Sequence, residues 1–575
     1  MRSTPRFPSR RLLTLPALLL ALGAAACGDD SDGCASTPTA AECSVPLTAP
    51  AGVQASAASA TSVKLTWTAV SGATGYVVQR APGAGGDFAQ VGTTAEARYT
   101  DAGIAPTTAY RYRVLATADG RQGPASDIVA VTTPAAGAKA ATIAADITAD
   151  RTLYADTLYT LSGFVHVANG ATLTIQPGTV IQGDYQTLGS SLFILRGAKL
   201  MAVGTAEQPI VFTSSRPVGQ RQPGDWGGLV LVGNAKINRG APVLLEGTNT
   251  DPSKNPGIDY AGGTDDGDSS GELRYVRVEF AGYAPVTDAE LNSFTFAAVG
   301  SGTRVSHLQA LGGLDDAYEF FGGTMDADHL VSYETGDDHF DMSEGYQGRL
   351  QYLIAYQTRV LIPRPGAGST SSDPQGIEND GCAGANCTSG QNSMPHTIPL
   401  VANFTLVGTG PGVVDATSGG VGMMLRRGTG GYYVNGVLGR WPRAGLSLRD
   451  AATNDRLTAG ELAVQHVLLS ETPTLFQASS GSNVQYTVDP AANALEQSAA
   501  TTASLFAALP SNPTSAAQLD WTPAAGSAAA SGGLATFGGA LQTKAGTTVA
   551  GTSFRGAADP AGTKWWAGWT SYADN

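Results

Sequence analysis

The chain has 575 residues, a formal net charge of −14, 14% charged residues and 73 glycines. That length exceeds one ordinary core, so several domains or an elongated repeat are expected. The acidic balance argues against nucleic acid, whose phosphates reward basic surfaces, and the small, β-branched, Gly-rich composition argues against helical bundles.

Residues 1–26 read as an export signal. Arg2, Arg6, Arg10 and Arg11 precede an apolar run at 12–22, and the small residues of "GAAAC" lead to Cys27. The run is too short for an ordinary spanning helix. A Cys directly after small residues resembles a bacterial lipoprotein lipobox. The resemblance implies a lipidated Cys27, a membrane as partner through that anchor, and a place in the bacterial envelope, at the outer membrane or cell surface. Ala24 stands where Leu is usual, which leaves ordinary signal cleavage as the alternative. Residues 27–48 lack periodicity and read as a flexible tether. The other four cysteines fall into close pairs, Cys34 with Cys43 and Cys382 with Cys387, as expected for local disulfides in an oxidising compartment.

From 49 the pattern alternates: Val63, Leu65 and Trp67, then Tyr76 and Val78, then Tyr110, Tyr112 and Val114. Residues 49–134 resemble a fibronectin type III domain, with Trp67 on its second strand, Tyr76 on its third and Tyr110 at the tyrosine corner. Such a module implies a spacer rather than a chemistry.

A linker at 135–142 leads into 143–575, where short strands recur in "ATLTIQPGTVIQGD", "SLFILRGAKLMAVGT", "WGGLVLVGNAKI" and "LRYVRVEFAG". Gly178 and Gly197 set an interval of 19 (197 − 178), and the acidic block repeats at 22 (338 − 316). Such periods, with Gly and Asp at the turns and no helical pattern between strands, predict a parallel β-helix. "RGAKLMAVGTAEQPIVFTS", "GDWGGLVLVGNAKIN", "DDAYEFFGGT", "GDDHFDMSEGYQGRLQ" and "WWAGWT" resemble a family of exported right-handed β-helix proteins in the pectate-lyase-like superfamily. The fold expected is thus all-β: a fibronectin type III β-sandwich, then a right-handed parallel β-helix solenoid. Trp565, Trp566 and Trp569 are expected to cap its last open coil.

The stretch "GLDDAYEFFGGTMDADHLVSYETGDDHFDMSEGY" carries the chemistry. One coil of 22 residues stacks Asp316 on Asp338, Glu319 on Asp341, and His307 on His329. Glu378 and Asp380 of "PQGIENDG" join the same edge after an insertion at about 360–374. Carboxylates one strand spacing apart repel by roughly 3.5 kcal/mol at an effective dielectric of 20. If they are exposed the stack costs little; if they are buried, a proton, an Arg or a cation must neutralise it.

Three readings compete. Asp side chains at coil corners cap free backbone amides. Alternatively, Asp316, Glu319, Asp338, Asp341, Glu378 and Asp380 hold Ca²⁺ through hard oxygen ligands from successive turns. Thirdly, Asp338 and Asp341 act as catalytic carboxylates beside Arg349 or Arg427, with Arg426 on a nearby coil, in a polysaccharide lyase or glycoside hydrolase. No lyase motif maps residue by residue, and the acidic surface would repel a polyuronate. The overall expectation is an anchored rod that binds polysaccharide or a surface protein, with calcium stabilising its acidic coils. Alternatives are a glycan-cleaving enzyme, or an accessory lipoprotein of an outer-membrane transporter.

Overall fold

The computed structural model describes residues 46–83, 85–133, 139–253, 256–286, 289–371, 374–414 and 419–572. Cys27, Cys34 and Cys43 lie outside the described residues, as do the signal and most of the tether.

The first unit is an antiparallel sandwich. One sheet joins Gln54–Ser59, Ser62–Thr66 and Arg98–Ala102; the other is built around Gly75–Pro82 and Ala109–Ala118. Strict alternation buries Val63 and Leu65 against Tyr76, Val78, Tyr112 and Val114. Trp67 meets Tyr76 edge-on at 5.2 Å. The Tyr110 hydroxyl accepts from the Ala105 amide at 2.9 Å, closing the expected tyrosine corner. Inside, Asp101 is 4% exposed and accepts from Tyr112 Oη and Arg80 Nη1, each at 2.7 Å. Tyr112→Phe is expected to cost about 1–3 kcal/mol, because a buried carboxylate loses a donor. Faster hydrogen exchange along Ala109–Ala118 would register that loss.

The second unit winds two sheets, of 17 and 10 strands, from Lys139–Ile143 to Glu496–Ser498. All pairings within them are parallel except Leu448 with Tyr486 and Arg449 with Gln485. Lys139–Ile143 already pairs with Thr157–Leu161, so 139–142, expected as linker, belong to the helix. Inward residues stack from coil to coil: Phe294 on Tyr318 at 5.1 Å, and Tyr318 on Phe340 at 5.2 Å. Apolar side chains from both sheets fill this interior, leaving the alternate positions outside.

The 22-residue period is one coil, since Glu319 pairs with Asp341 and Leu308 with Leu330. The 19-residue interval is not. Gly197 follows a different strand from Gly178, and the true coil step there is 27, Thr172 to Lys199 (199 − 172). Both glycines have positive φ, 80° and 85°, so the match reflects two unlike turns that each need a left-handed residue.

Two of the segments that leave the coil cover its faces. Residues 234–264 fold over the outer face of the second sheet, where Ile237, Val243, Leu245 and Tyr260 pack on Phe193, Val230 and Ala297. Arg196 pins this flap by donating to the carbonyls of Gly233, Tyr260 and Ala261 at 2.9–3.0 Å.

The C-terminal segment departs from expectation. Phe506, Trp521, Trp566, Trp569 and Tyr572 do not cap the last coil; they run along the outside of the first sheet, over Phe280, Leu311, Tyr333, Tyr356, Val407 and Leu468. Arg277 Nη1 donates to the Trp569 carbonyl at 2.9 Å, and Gln309 Nε2 to the Ser571 carbonyl at 2.6 Å. Aromatic outward positions on successive coils leave an apolar stripe, and the segment takes it out of water. Leu475, Phe476, Tyr486 and Val488 pack on the interior instead, with Phe476 beside Leu446 and Tyr486 beside Leu448.

Candidate functional site

The acidic residues gather on the outer face of the second sheet. Tyr318–Phe321, Asp341–Ser343, Ile377–Asp380 and Val421–Arg426 are consecutive rungs there. Period-two alternation sends Phe320, Met342 and Leu425 inward. It sends Glu319, Asp341 and Glu378 outward in one register column, which continues to Met424. The step from Asp341 to Glu378 is 37 residues (378 − 341), one coil lengthened by the expected insertion.

Outward does not mean exposed here. Asp316, Glu319, Asp338, Glu378 and Asp380 are 4–7% exposed, and Asp341 is half-buried. Turn capping accounts for part of the set. Asp316 Oδ1 accepts from the Asp338 amide at 2.8 Å, and Asp338 Oδ1 accepts from the Gln375 amide. It does not account for Glu319, Asp341 and Glu378, which lie in strands and accept no backbone amide among the described residues. The loop "TDDGDSSG" is different: Asp265, Asp266 and Asp268 cap amides at 2.9–3.0 Å, so its acids are turn chemistry.

Oxygens of Asp315, Asp316 and Asp337 lie within 4.8 Å of one another, as do those of Asp316, Glu319 and Asp341, and those of Asp338, Asp341 and Glu378. Twice a calcium–oxygen bond of about 2.4 Å is about 4.8 Å, the widest separation two ligands of one Ca²⁺ can have. Desolvation first, and repulsion among neighbouring acids next, push Asp315, Asp316, Glu319, Asp338 and Asp341 well above the usual carboxylate range. The same causes bring Glu378 and Glu246 up to about 8. At one end of the set Arg426 bonds Glu378 and Asp380, and Arg427 bonds Asp380.

Oxygens without donors mark the same place. Asp341 Oδ1 is buried with no hydrogen-bond partner, and so is Asn292 Oδ1. Asn292 is 1% exposed, and its Nδ2 reaches Glu319 Oε2 at 3.3 Å. Burial of such acceptors is costly unless something supplies positive charge.

Of the residues expected to act together, Asp316, Glu319, Asp338, Asp341, Glu378 and Asp380 converge, with Arg427 at their edge. Arg349 does not join them. It opens the strand Arg349–Tyr356 of the first sheet, where it chelates Asp326 through Nε–Oδ1 at 3.0 Å and Nη2–Oδ2 at 2.6 Å. Arg426 occupies the place expected of it. Asp315 and Asp337 complete the set and were legible, being themselves 22 apart (337 − 315). Glu246, from the flap, and Asn292 were not legible, because no periodicity tells where a loop returns.

His307 stacks on His329 at 4.3 Å, as their spacing predicts, with Tyr275 and Tyr352 continuing the column at 4.4 and 4.9 Å. Trp565 and Trp569 meet it edge-on, so the pair serves as a seat for the C-terminal segment. Cys382 and Cys387 form a disulfide with a Cα separation of 6.0 Å.

A family model described as a pectate-lyase like beta helix domain matches residues 145–523, and one for the fibronectin type III domain matches 48–132. Among solved structures the chain is similar to domains A168–A170 of titin, at 31% identity over 16% of this chain and 32% of that chain, with a TM-score of 0.15. An Fn3-like protein from Clostridium thermocellum is 32% identical over 16% of this chain and 96% of its own, also with a TM-score of 0.15. The FN5 domain of Drosophila Lar is 25% identical over 16% and 98%, with a TM-score of 0.14. The chain thus spans about a third of the titin fragment, and TM-scores this low carry no argument about the whole molecule. No curated protein matches the chain.

Proposed function

We propose, for a chain that belongs to the family of pectate-lyase like beta helix domains and carries a fibronectin type III domain before it, a surface-binding role in which calcium fills the acidic face. The two domains fit a surface-binding or glycan-acting protein. Within that range, the reading rests on one observation: carboxylates of three successive coils are buried together within calcium-ligand distance. Protons can quiet some of these groups, but a hard divalent cation matches all-oxygen ligands of this count and spacing. Bound there, it ties coil to coil and leaves coordination positions for sugar hydroxyls or carboxylates. Export through residues 1–26 and a lipid anchor at Cys27 would place the rod on the bacterial envelope.

Calorimetric titration of Ca²⁺ into the chain at pH 7 tests this. Saturable binding is expected, and Asp338→Ala/Asp341→Ala should weaken it at least tenfold, because each residue serves an oxygen triplet and Asp341 serves two. Heat of the same size from the double variant would remove the cation from the reading. Glycan cleavage is the second reading, supported by the oxygens of Asp316, Glu319 and Asp341 lying within 4.8 Å of one another, where burial favours the protonated form of each. A carboxyl group raised in this way is suited to act as a general acid. Product analysis on neutral and acidic polysaccharides separates the two.

A further inference from the structure

A second polar site lies away from the acidic face. Where the second sheet turns into the first, Ser301, Thr324, Asp326, Gln347, Ile398 and Tyr432 come from five successive coils and form one wall of an open trough of about 630 Å³. The other wall is the helix Gly539–Ala545 of the C-terminal segment, through Ala540, Thr543 and Lys544. Five coils extend about 19 Å at the usual strand spacing.

Two cationic heads meet in this trough, in a chain whose net charge is −14. Arg349 is spoken for. Asp326 takes its Nε and Nη2, and the Ala545 carbonyl accepts from Nη1 at 3.3 Å, so the residue holds the helix C-terminus to the coil. Among the described residues, Lys544 forms no ion pair with a carboxylate of its own. Its Nζ donates to the Gln347 carbonyl at 2.5 Å and to Gln347 Oε1 at 3.3 Å, both neutral acceptors. Thus two positive charges share one carboxylate beside a cavity. Burial first and the Arg349 charge next pull the Lys544 ammonium down to about 8, so the pocket strains against its own second charge.

We propose that this trough binds an oxyanion group (carboxylate, sulfate or phosphate) carried on a larger polar ligand, with the Lys544 ammonium as its counter-charge. An anion restores neutrality at the point where the protein leaves one positive charge unmatched. The carrier follows from size: the trough has the volume of a site for a small organic ligand, several times that of a free ion. Ser301 Oγ and Thr543 Oγ1 line the remainder; each donates to a backbone carbonyl, of Asp266 and Gly539, and keeps a lone pair to accept from a carrier's hydroxyl. The inference stands apart from the cation reading, because none of these residues belongs to the acidic column.

The test titrates sulfate, phosphate, a uronate oligomer and a sulfated oligosaccharide into the full chain at pH 7 and constant ionic strength. The oligomer bearing the right oxyanion is expected to bind at least tenfold tighter than either free ion. Lys544→Met should weaken it at least tenfold and Lys544→Arg should retain it, with both variants melting like the wild type. Affinity should also fall as the pH rises through about 8, where the ammonium loses its proton. Asp338→Ala/Asp341→Ala should leave this binding intact. Free ions binding as tightly as the oligomers, no binding at all, or Lys544→Met binding like wild type would each overturn the proposal.

Discussion

In calcium-free buffer the chain is expected to melt at a lower temperature at pH 8 than at pH 6.5, and calcium is expected to remove the difference. Glu378 and Glu246, ordinarily near 4.5, titrate near 8 in the folded protein, and their neighbours are raised in the same direction. The folded state therefore holds more protons than the unfolded chain above about pH 4.5. Its stability falls as rising pH strips those protons on the way to 8. The histidines act with the opposite sign. His339 is drawn down to about 3 and His307 to about 4, so the stability they withhold at low pH is regained by about 6.5. Lys544 enters only above about 8. His396, lowered by burial and the Arg456 charge, acts in the same sense as the other histidines. Between 6.5 and 8 the carboxylates outweigh them, and a drop of about 3–5 °C is expected. Asp341→Asn should raise the calcium-free melting temperature at pH 8, since it removes a repelling charge, and should blunt the response to calcium. A melting temperature flat across this range, with and without chelator, would sink the account of the acidic column.

Trp521→Ala is expected to free the C-terminal segment while leaving the coils wound. The ring is fully buried, meets Tyr356 edge-on at 5.4 Å and Phe506 at 5.7 Å, and donates from Nε1 to the Tyr333 hydroxyl at 2.9 Å. Truncation removes the link between segment and sheet at a cost of about 3–5 kcal/mol. Coil-to-coil ladders such as Ile377–Asp380 on Val421–Arg426 do not involve it. Limited proteolysis should therefore cut within 500–572 of the variant, while amides of Val421–Arg426 stay protected from exchange. Wild-type resistance to protease, or loss of protection in both places at once, would contradict that division.

Much of the site could be read from spacing, because a coil that repeats every 22 residues brings residues 22 apart into register. That holds for Glu319 with Asp341 and for His307 with His329. The insertion before Glu378 interrupted the count without moving the register, since a loop at a corner leaves the next strand where it was. Spacing failed where a residue's place depends on a loop's return: Glu246 in the flap, Asn292 beside Glu319, and Lys544 opposite Arg349. It misled at Gly178 and Gly197, whose common need for positive φ arises at different corners.

The sequence by itself determined the two-domain order, the alternation that faces each side chain in or out, and the coil period that stacks acid upon acid. These follow from local backbone geometry and nearest-coil pairing, which a linear pattern encodes. Only the tertiary structure decided that the acids are buried, that Arg349 belongs elsewhere, and that the terminal tryptophans line a side instead of closing an end. Those outcomes depend on which distant segment covers which face. That choice is set by the apolar area left uncovered after the coils have formed, and it brings together residues hundreds of positions apart with no periodic trace.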